Sequence, residues 1–382
     1  MITPDGCRIR RERLWQAMPE PMDAVLCGEP CLLAHLAGFY PSPFLFRSQN
    51  APAILALLPD GDSILFVDNL QQAAAHDAFA GQVAAVEWYR GRASAEVRTD
   101  RLFGFVGERL REWRLATLGI DGGVPAVLAG RIAADQPGLR TLDIGGIAHA
   151  LMRRKCGDEV AALRESGRCA AAAVSAAMAG VQPGMTELEA FDLVRSAVTT
   201  AAGEPREVYG DFASGPRAAQ GGGECTGRHI EAGELFLLDF SVIVRGYRVD
   251  IAQTWCVGGK PSAAQRRMEV ACRAALERGA AMLRPGAVCR QIDAAVRGIL
   301  DGAGLGGVSP GHLGHGIGLR HPEPPYLVTE SADTLEEGDV VTLEPGLYIA
   351  GVGGMRFERN YLVTGDGPAC LTPHFVGLEL NS

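Results

Sequence analysis

Five residues in the second half of this 382-residue chain have side chains that divalent metal ions commonly bind. In chain order they are Asp239, Asp250, His315, Glu344 and Glu358. Four of them are acids in or beside apolar segments, where a carboxylate is costly to bury without a partner. Bridging carboxylates can hold two divalent ions roughly 3.5–4 Å apart around one activated water. The residue types predict a dimetal site, although single acids in strands are also typical of sheet edges and salt bridges.

The two aspartates lie on adjacent predicted strands. Asp239 interrupts the apolar segment Leu235–Val244, and Asp250 lies in the mixed segment Tyr247–Val257, beyond a turn at Gly246. If the two segments pair as a hairpin, both carboxylates can reach the same side of the sheet.

The other three candidates lie in the last part of the chain. Glu344 interrupts the predicted strand Val340–Ile349, and Glu358 lies in the predicted strand Met355–Thr364. His315 is flanked by glycines, which let backbone or substrate come close. A site rich in oxygen with one imidazole suits Mn²⁺, Co²⁺, Zn²⁺ or Fe²⁺, and the sequence does not choose among them.

Helices are predicted around these strands. Two of them begin with capping boxes, at Thr186 with Glu189 and at Ser262 with Gln265. The predicted helices span Asp158–Gly180, Thr186–Gly203, Ser262–Leu283 and Arg290–Leu300. The pattern favours a sheet flanked by helices, an α/β (α+β) fold, for residues 151–382.

The first part of the chain, residues 1–150, predicts a separate α/β domain. Two apolar runs, residues 51–58 and 63–67, surround a Pro-Asp-Gly-Asp turn and indicate a β-hairpin. A helix is predicted for Ser94–Trp113, and no cluster of catalytic residue types is found here. A boundary near residues 148–156 gives two domains, as the length suggests.

Composition excludes several classes of function. The net charge is −9 and the pI is about 5.5, without a long basic block, so nucleic acid is not an expected partner. No apolar stretch approaches about 20 residues, and the N-terminus lacks the pattern of a secretory signal, so we expect no membrane association. The ten cysteines have no regular spacing and indicate thiols in a reducing cytoplasm.

The motifs around the five candidates resemble those of the pita-bread metallopeptidase superfamily, which includes aminopeptidase P, prolidase and the metal-free creatinases. The similarity covers roughly residues 150–370, and residues 1–150 are more weakly similar to the creatinase N-terminal domain. The resembling segments are Leu238–Phe240, Val249–Thr254, Gly314–Leu319, Leu343–Gly346 and Gly353–Glu358.

This resemblance implies a role for each ligand. Asp239 would bind one metal ion, and His315 would bind the other together with Glu344. Asp250 and Glu358 would bridge the two ions, and Glu344 would also accept a proton from the attacking water. The resemblance further implies a small peptide or amide substrate and a homodimer.

Two departures from the superfamily pattern concern the substrate. Where prolidase-like members carry a substrate-orienting histidine, this chain has Gly222. The superfamily's later histidine is displaced by one residue to His321, which either polarises the substrate carbonyl or faces solvent. Arg217 either binds a substrate carboxylate or is a surface arginine, and His312 is expected to be structural.

Three functional hypotheses follow. The first is an Xaa-Pro dipeptidase or aminopeptidase P-like peptidase that cleaves a C–N bond with a water activated by two metal ions. The absent histidine keeps open a hydrolase of a non-peptide amide or amidine, similar to creatinase or ectoine hydrolase. The third is a catalytically silent binding protein, which the retention of five costly buried ligands argues against.

Overall fold

Residues 1–40 and 52–379 are described by this computed structural model. Internal contacts divide the chain into two units, Met1–Met152 and Arg153–Ser382. In the described residues no helix has both the length and the apolar character needed to span a bilayer. These residues include all ten cysteines, and none of the ten forms a disulfide.

The first unit is built on one mixed sheet with the strand order β4-β3-β2-β1-β5-β6. Its strands are β1 (Ala24–Cys27), β2 (Ile54–Leu57), β3 (Ser63–Asp68), β4 (Gln82–Val86), β5 (Thr117–Ile120) and β6 (Arg140–Asp143). Strands β2 and β3 pair antiparallel, which confirms the predicted hairpin, although residue 51 of its first run lies outside the described residues.

Six helices complete the described part of the first unit, residues 1–40 and 52–152. They are α1 (Pro4–Ala17), α2 (Pro30–Ala37), α3 (Gln72–Ala75), α4 (Arg98–Arg111), α5 (Ala126–Asp135) and α6 (Gly145–Met152). Helix α4 is shorter than predicted from residues 94–113. It buries Leu102, Val106 and Leu110 at helical spacing against the sheet, since these residues form one core with Phe66 of β3.

Among residues 153–379 the second unit carries five helices. They are α7 (Gly157–Gly180), α8 (Glu187–Ala202), α9 (Gly215–Ala218), α10 (Ala263–Ala280) and α11 (Cys289–Gly302), with a 3₁₀ turn at Gly306–Val308. Both predicted capping boxes are present: Oγ1 of Thr186 accepts from the N–H of Glu189, and Oγ of Ser262 accepts from the N–H of Gln265. Helix α10 ends at Ala280, before the predicted end at residue 283.

Three sheets make up the rest of the second unit. The strands are β7 (Glu207–Ser214), β8 (Leu235–Val244), β9 (Tyr247–Cys256), β10 (His315–Gly316), β11 (Glu323–Tyr326), β12 (Val340–Leu343), β13 (Gly346–Ile349), β14 (Gly353–Arg356), β15 (Arg359–Thr364) and β16 (Gly367–Cys370). The sheet orders are β7-β8-β9, β11-β10-β12-β15-β16 and β13-β14. Helices α10 and α11 share a core with β12 and β13, in which Cys272, Ile292, Val341 and Leu347 are fully buried.

Two strands predicted as continuous are interrupted, and that part of the prediction was wrong. The segment 340–349 breaks at Glu344 into β12 and β13, and the segment 355–364 breaks at Glu358 into β14 and β15. At each break the backbone turns to another partner: the N–H of Glu344 donates to the carbonyl of Leu313, and that of Glu358 to the carbonyl of Ala252. Pro345 adds to the first interruption because it has no N–H to donate.

Candidate metal centre

The two aspartates of the candidate site lie side by side on the β8–β9 hairpin. In the antiparallel register Asp239 is opposite Ala252, and Asp250 is opposite Ser241. The two carboxylates are therefore diagonal neighbours on one face of the sheet. Both residues are 8% exposed, and Oδ1 of Asp250 accepts a hydrogen bond from the Ser241 hydroxyl at 3.0 Å.

The structure brings all five predicted ligands together. Their side chains form three overlapping groups, within each of which the ligand atoms lie within 4.8 Å of one another. The groups are Asp239 with Asp250 and Glu358, His315 with Glu344 and Glu358, and Asp250 with His315 and His321. Strands β8, β9 and β10 carry Asp239, Asp250 and His315, and the two glutamates lie at the strand breaks, so three strands and two connecting segments supply one cluster.

Burial and neighbouring carboxylates favour the protonated form of two acids in this cluster, Asp239 and Glu358. Burial raises the pKa of Asp239 to about 8, and the neighbouring Asp250 and Glu344 add to that rise while Arg356 opposes it. Burial also raises the pKa of Glu358 well above its usual range. Burial acts in the same direction on Asp250, but the hydrogen bond and charge of His321 outweigh it and lower that pKa.

Divalent cations fit these residues. Oε1 of Glu358 is buried without a hydrogen-bond partner among the described residues, and an unpaired buried carboxylate oxygen is costly unless it is neutralised or binds a metal ion. The donor set consists of carboxylate oxygens and one imidazole, which are ligands of first-row divalent ions. The centre therefore has the chemistry of a site for hard divalent cations.

His315 is held with one ring nitrogen directed into the cluster. Its Nδ1 donates to the carbonyl of Gly316 at 2.9 Å, and its backbone N–H donates to Oγ1 of Thr342 at 3.1 Å. Its Nε2 lies 3.5 Å from Oε1 of Glu344. Burial lowers the pKa of His315, which favours the neutral imidazole that a metal ion requires.

Two further histidines lie at the edge of the cluster. Nε2 of His321 lies 2.6 Å from Oδ2 of Asp250, and its ring packs edge-on against His315 with the centroids 4.9 Å apart. Nε2 of His312 lies 3.3 Å from Oε1 of Glu344. The hydrogen bond to Glu344 raises the pKa of His312. The sequence assigned His312 only a structural role, and its spacing of three residues from His315 was the one signal for this contact.

Arg356 and Asn360 also build the site, and the sequence interpretation missed both. Arg356 pairs with the carboxylate of Asp239, and its Nε donates to the hydroxyl of Tyr348 at 2.7 Å. Asn360 accepts from the N–H of Asp250 at 3.0 Å and donates to its carbonyl at 2.6 Å. Their position, two residues on either side of Glu358, was a usable signal because a charged and an amide side chain beside a ligand need buried partners.

The two positions that the sequence linked to substrate have specific surroundings. Gly222 has φ of +122°, and a Cβ built there would lie 2.3 Å from Oδ2 of Asp211. Arg217 is partly buried, pairs with the buried carboxylate of Glu187, and donates to the carbonyl of Glu224 at 2.7 Å. The guanidinium of Arg217 thus already has a carboxylate partner within the protein.

Comparison with known proteins identifies the class that this fold and site define. The model of metallopeptidase family M24 matches residues 161–365, and the chain belongs to that family. The predicted superfamily and the predicted metal-dependent hydrolase class are confirmed, and membership implies divalent metal ions as cofactors.

Individual relatives agree with this assignment. The Xaa-Pro dipeptidase of Pyrococcus furiosus is 29% identical over 256 residues, which are 67% of this chain and 73% of that protein. An uncharacterized peptidase of Bacillus subtilis, YqhT, is 30% identical over 218 residues, 57% of this chain and 62% of that protein.

Solved structures extend the likeness over nearly the whole chain. An Xaa-Pro dipeptidase from Bacillus anthracis superimposes with a TM-score of 0.82 at 24% identity and covers 98% of this chain and 99% of that one. A prolidase from Pyrococcus furiosus gives a TM-score of 0.75 at 25% identity, with coverages of 93% and 97%. The predicted α/β fold with a pita-bread domain is confirmed, and the creatinase-like character of the N-terminal domain stays a prediction.

Proposed function

We propose that the chain is a dinuclear metallopeptidase that hydrolyses the C–N bond of small Xaa-Pro substrates. The observation that carries the proposal is the buried cluster of five ligands around the unpartnered Oε1 of Glu358. The names of the relatives support the substrate, since dipeptidases and prolidases are among them. The identity of the two ions, the cytoplasmic location and the homodimer predicted from the sequence stay predictions.

We assign each ligand the role that the superfamily resemblance implies. Asp239 would hold one ion, His315 and Glu344 the other, and Asp250 and Glu358 would bridge them. When bound, such ions polarise the scissile carbonyl and lower the pKa of the attacking water. Arg356 and Asn360 fix the aspartates, the first through a side-chain ion pair with Asp239 and the second through the backbone of Asp250.

The proton from the attacking water is assigned to Glu344. Its Oε1 lies within 3.5 Å of His315 Nε2 and 3.3 Å of His312 Nε2. The side chain of His312 is 56% exposed, so a proton accepted by Glu344 can pass through this imidazole to solvent or to the leaving nitrogen. His321 is partly exposed and hydrogen-bonded to Asp250, which positions its ring to orient the substrate carbonyl.

Replacing a bridging ligand tests the proposal. Asp250→Ala should abolish hydrolysis of Ala-Pro and lower the metal content below two ions per chain, measured by activity after Mn²⁺ or Co²⁺ loading and by elemental analysis. Asp192→Ala is a matched control, because this aspartate is exposed on α8 and pairs with Arg195 at 2.8 Å on the same helix. Full turnover by Asp250→Ala would contradict the site assignment.

A second candidate is a hydrolase of a non-peptide amide or amidine. Two observations favour it: Gly222 has no side chain, and Arg217 is paired with Glu187. Neither position then offers a free group that could bind the carboxylate of a peptide. A metal-loaded enzyme that cleaves creatine-like amidines or cyclic amidines, and leaves every Xaa-Pro peptide intact, would replace the first proposal with this one.

A further inference from the structure

Asp211 is an acidic residue beside the metal centre that the ligand set does not use. It lies on β7, directly opposite Asp239 in the antiparallel register of β7 and β8. Directly paired residues share a face of the sheet, with Cβ atoms about 4.5–5.5 Å apart. The Asp211 side chain is 35% exposed, so this carboxylate is next to a candidate ligand and is still accessible from outside.

Three consecutive glycines leave the carboxylate of Asp211 uncovered on one side. Gly222 lies so close that a Cβ on it would be 2.3 Å from Oδ2 of Asp211. Gly221, Gly222 and Gly223 all have positive φ, between +105° and +135°, a region that favours glycine. The loop backbone therefore packs against one side of Asp211, and its glycines have no side chains that would cover the exposed part of this carboxylate.

Asp211 accepts a hydrogen bond from the backbone N–H of Gly223 and has capacity to accept others. Nη1 of Arg356 is 3.8 Å from Oδ2 of Asp211, beyond hydrogen-bond distance, and it pairs with Asp239 instead. The other donors of Arg356 bond to the Tyr348 hydroxyl and to the carbonyl of Gly221. A carboxylate can accept about four hydrogen bonds.

The charge of the second arginine of this region, Arg217, also acts on Asp211 and lowers its pKa, but the guanidinium makes its hydrogen bonds elsewhere. Arg217 donates to Glu187 and to the carbonyl of Glu224. Because Asp211 is opposite the candidate ligand Asp239 and is partly exposed, we infer that a substrate with its scissile bond at the metal centre places its next group beside this acceptor-only carboxylate. A substrate carboxylate there is repelled, whereas an N–H group gains a hydrogen bond assisted by the charge of Asp211.

We propose that Asp211 selects substrates that present an N–H donor, such as a peptide amide or the next residue of a longer peptide, and rejects a free carboxylate at that position. This inference rests on the proposed Xaa-Pro peptidase function. It assigns the chain to aminopeptidase-type substrates rather than to free dipeptides.

Two substrates that differ in one group test this inference. The kcat/KM of Ala-Pro-NH₂ and of Ala-Pro is measured with the Mn²⁺-loaded full chain at about pH 8, because burial raises the pKa of Asp211 above its ordinary value. We expect the wild-type protein to have a kcat/KM for the amide that is higher by about tenfold or more. The reason is that the amide N–H gains a contact with the Asp211 charge, whereas the carboxylate of Ala-Pro is repelled by it. Asp211→Asn, which keeps the shape and removes the charge, should bring the ratio close to one, mainly by lowering KM for Ala-Pro.

Glu207→Gln is the matched control. Glu207 lies on the same strand four residues from Asp211, opposite Ile243 in the register, so its charge is remote from the centre and the substrate ratio should not change. Asp211→Ser provides a second variant that lacks the charge if Asp211→Asn folds poorly.

The outcomes separate the two proposals. If neither substrate is cleaved by the metal-loaded protein, the proposed Xaa-Pro function fails. If both are cleaved and Ala-Pro is equal or preferred, or if the amide preference survives removal of Asp211, the peptidase function stands and the role of Asp211 is overturned.

Discussion

At the scale of single residues, Arg356 determines how the candidate centre behaves without metal. Four carboxylates lie in a buried cluster, and Arg356 is the arginine that pairs with one of them, Asp239. The pairing lowers the pKa of Asp239 but does not cancel the effect of burial, so that pKa stays at about 8. Protons must therefore supply the remaining neutralisation when metal ions are absent.

The raised pKa of Asp239 predicts a stability profile for the metal-free protein. A carboxylate with a folded-state pKa of about 8 and an unfolded value near 3.8 binds its proton more tightly in the folded state. Its contribution to the free energy of unfolding is present below about pH 4 and is lost as the pH rises through about 8. Urea unfolding of chelator-treated protein should show lower stability at about pH 8 than at about pH 6.

Metal loading should reverse this pH dependence of stability. Metal ions bind only deprotonated ligands, so they compete with protons for the carboxylates more effectively as the pH rises. Asp239→Asn has no titrating carboxylate at this position, so its metal-free stability should fall less between the same two pH values. A metal-free wild-type protein that is equally stable at both would show that the Asp239 carboxylate is already ionised across this range.

Residue types predicted the ligands but not their supports. Asp239, Asp250 and the glutamates stand out because an acid in an apolar strand needs a partner. Arg356 lies in the motif of Glu358 and Asn360 lies two residues beyond it, but their roles depend on which strand is adjacent in space, and one sequence does not contain that information. The contact of Asp211 with Gly222 is likewise set by how the loop crosses β7.

At the scale of elements, local signals were more reliable than strand continuity. The capping boxes at Thr186 and Ser262 were predicted correctly because a cap depends on residues three apart. The strand breaks at Glu344 and Glu358 were missed because each depends on a hydrogen bond to a distant carbonyl, of Leu313 or Ala252. Apolar pattern alone cannot distinguish one long strand from two short strands in different sheets.

The contact between β9 and β15 gives a prediction at this scale. Asn360 on β15 bonds both backbone groups of Asp250 on β9 and is fully buried. Asn360→Ala leaves a buried N–H and a buried carbonyl unpaired, which should lower the free energy of unfolding by about 2–4 kcal/mol. Peptidase activity should fall as well, because the backbone that carries the candidate bridging ligand Asp250 loses its support. The free energy of unfolding and the peptidase activity are measured on the same preparation.

Thr364→Ala is the control on the same strand. Its hydroxyl donates to the carbonyl of Gly367 at 2.6 Å, at the end of β15 that leads into the turn. Thr364→Ala should lower the free energy of unfolding by about 0.5–1.5 kcal/mol and leave peptidase activity unchanged. An Asn360→Ala protein with wild-type activity would show that Asp250 is positioned without this contact.

At the scale of the whole molecule, all the candidate ligands lie in the second of the two units. They fall between residues 239 and 358, and that unit spans Arg153–Ser382. The sequence predicted a boundary between residues 150 and 151, and the break in internal contacts follows Met152. Chemistry and metal-dependent stability are thus expected to belong to one unit, and the first unit carries none of the five ligands.

Removing the metal ions should therefore affect the two units unequally. At a free metal concentration about 100 times the dissociation constant, binding stabilises the folded state by about 2.7 kcal/mol. Amides of β8, β9, β12 and β15 that exchange through unfolding of the second unit should then exchange about 100-fold faster after chelation. Hydrogen exchange of peptides from β1 to β6 in the first unit should change little, and Asp250→Ala should resemble chelated wild type in both units. Equal acceleration in both units would show that they unfold together and that the metal centre stabilises the entire chain.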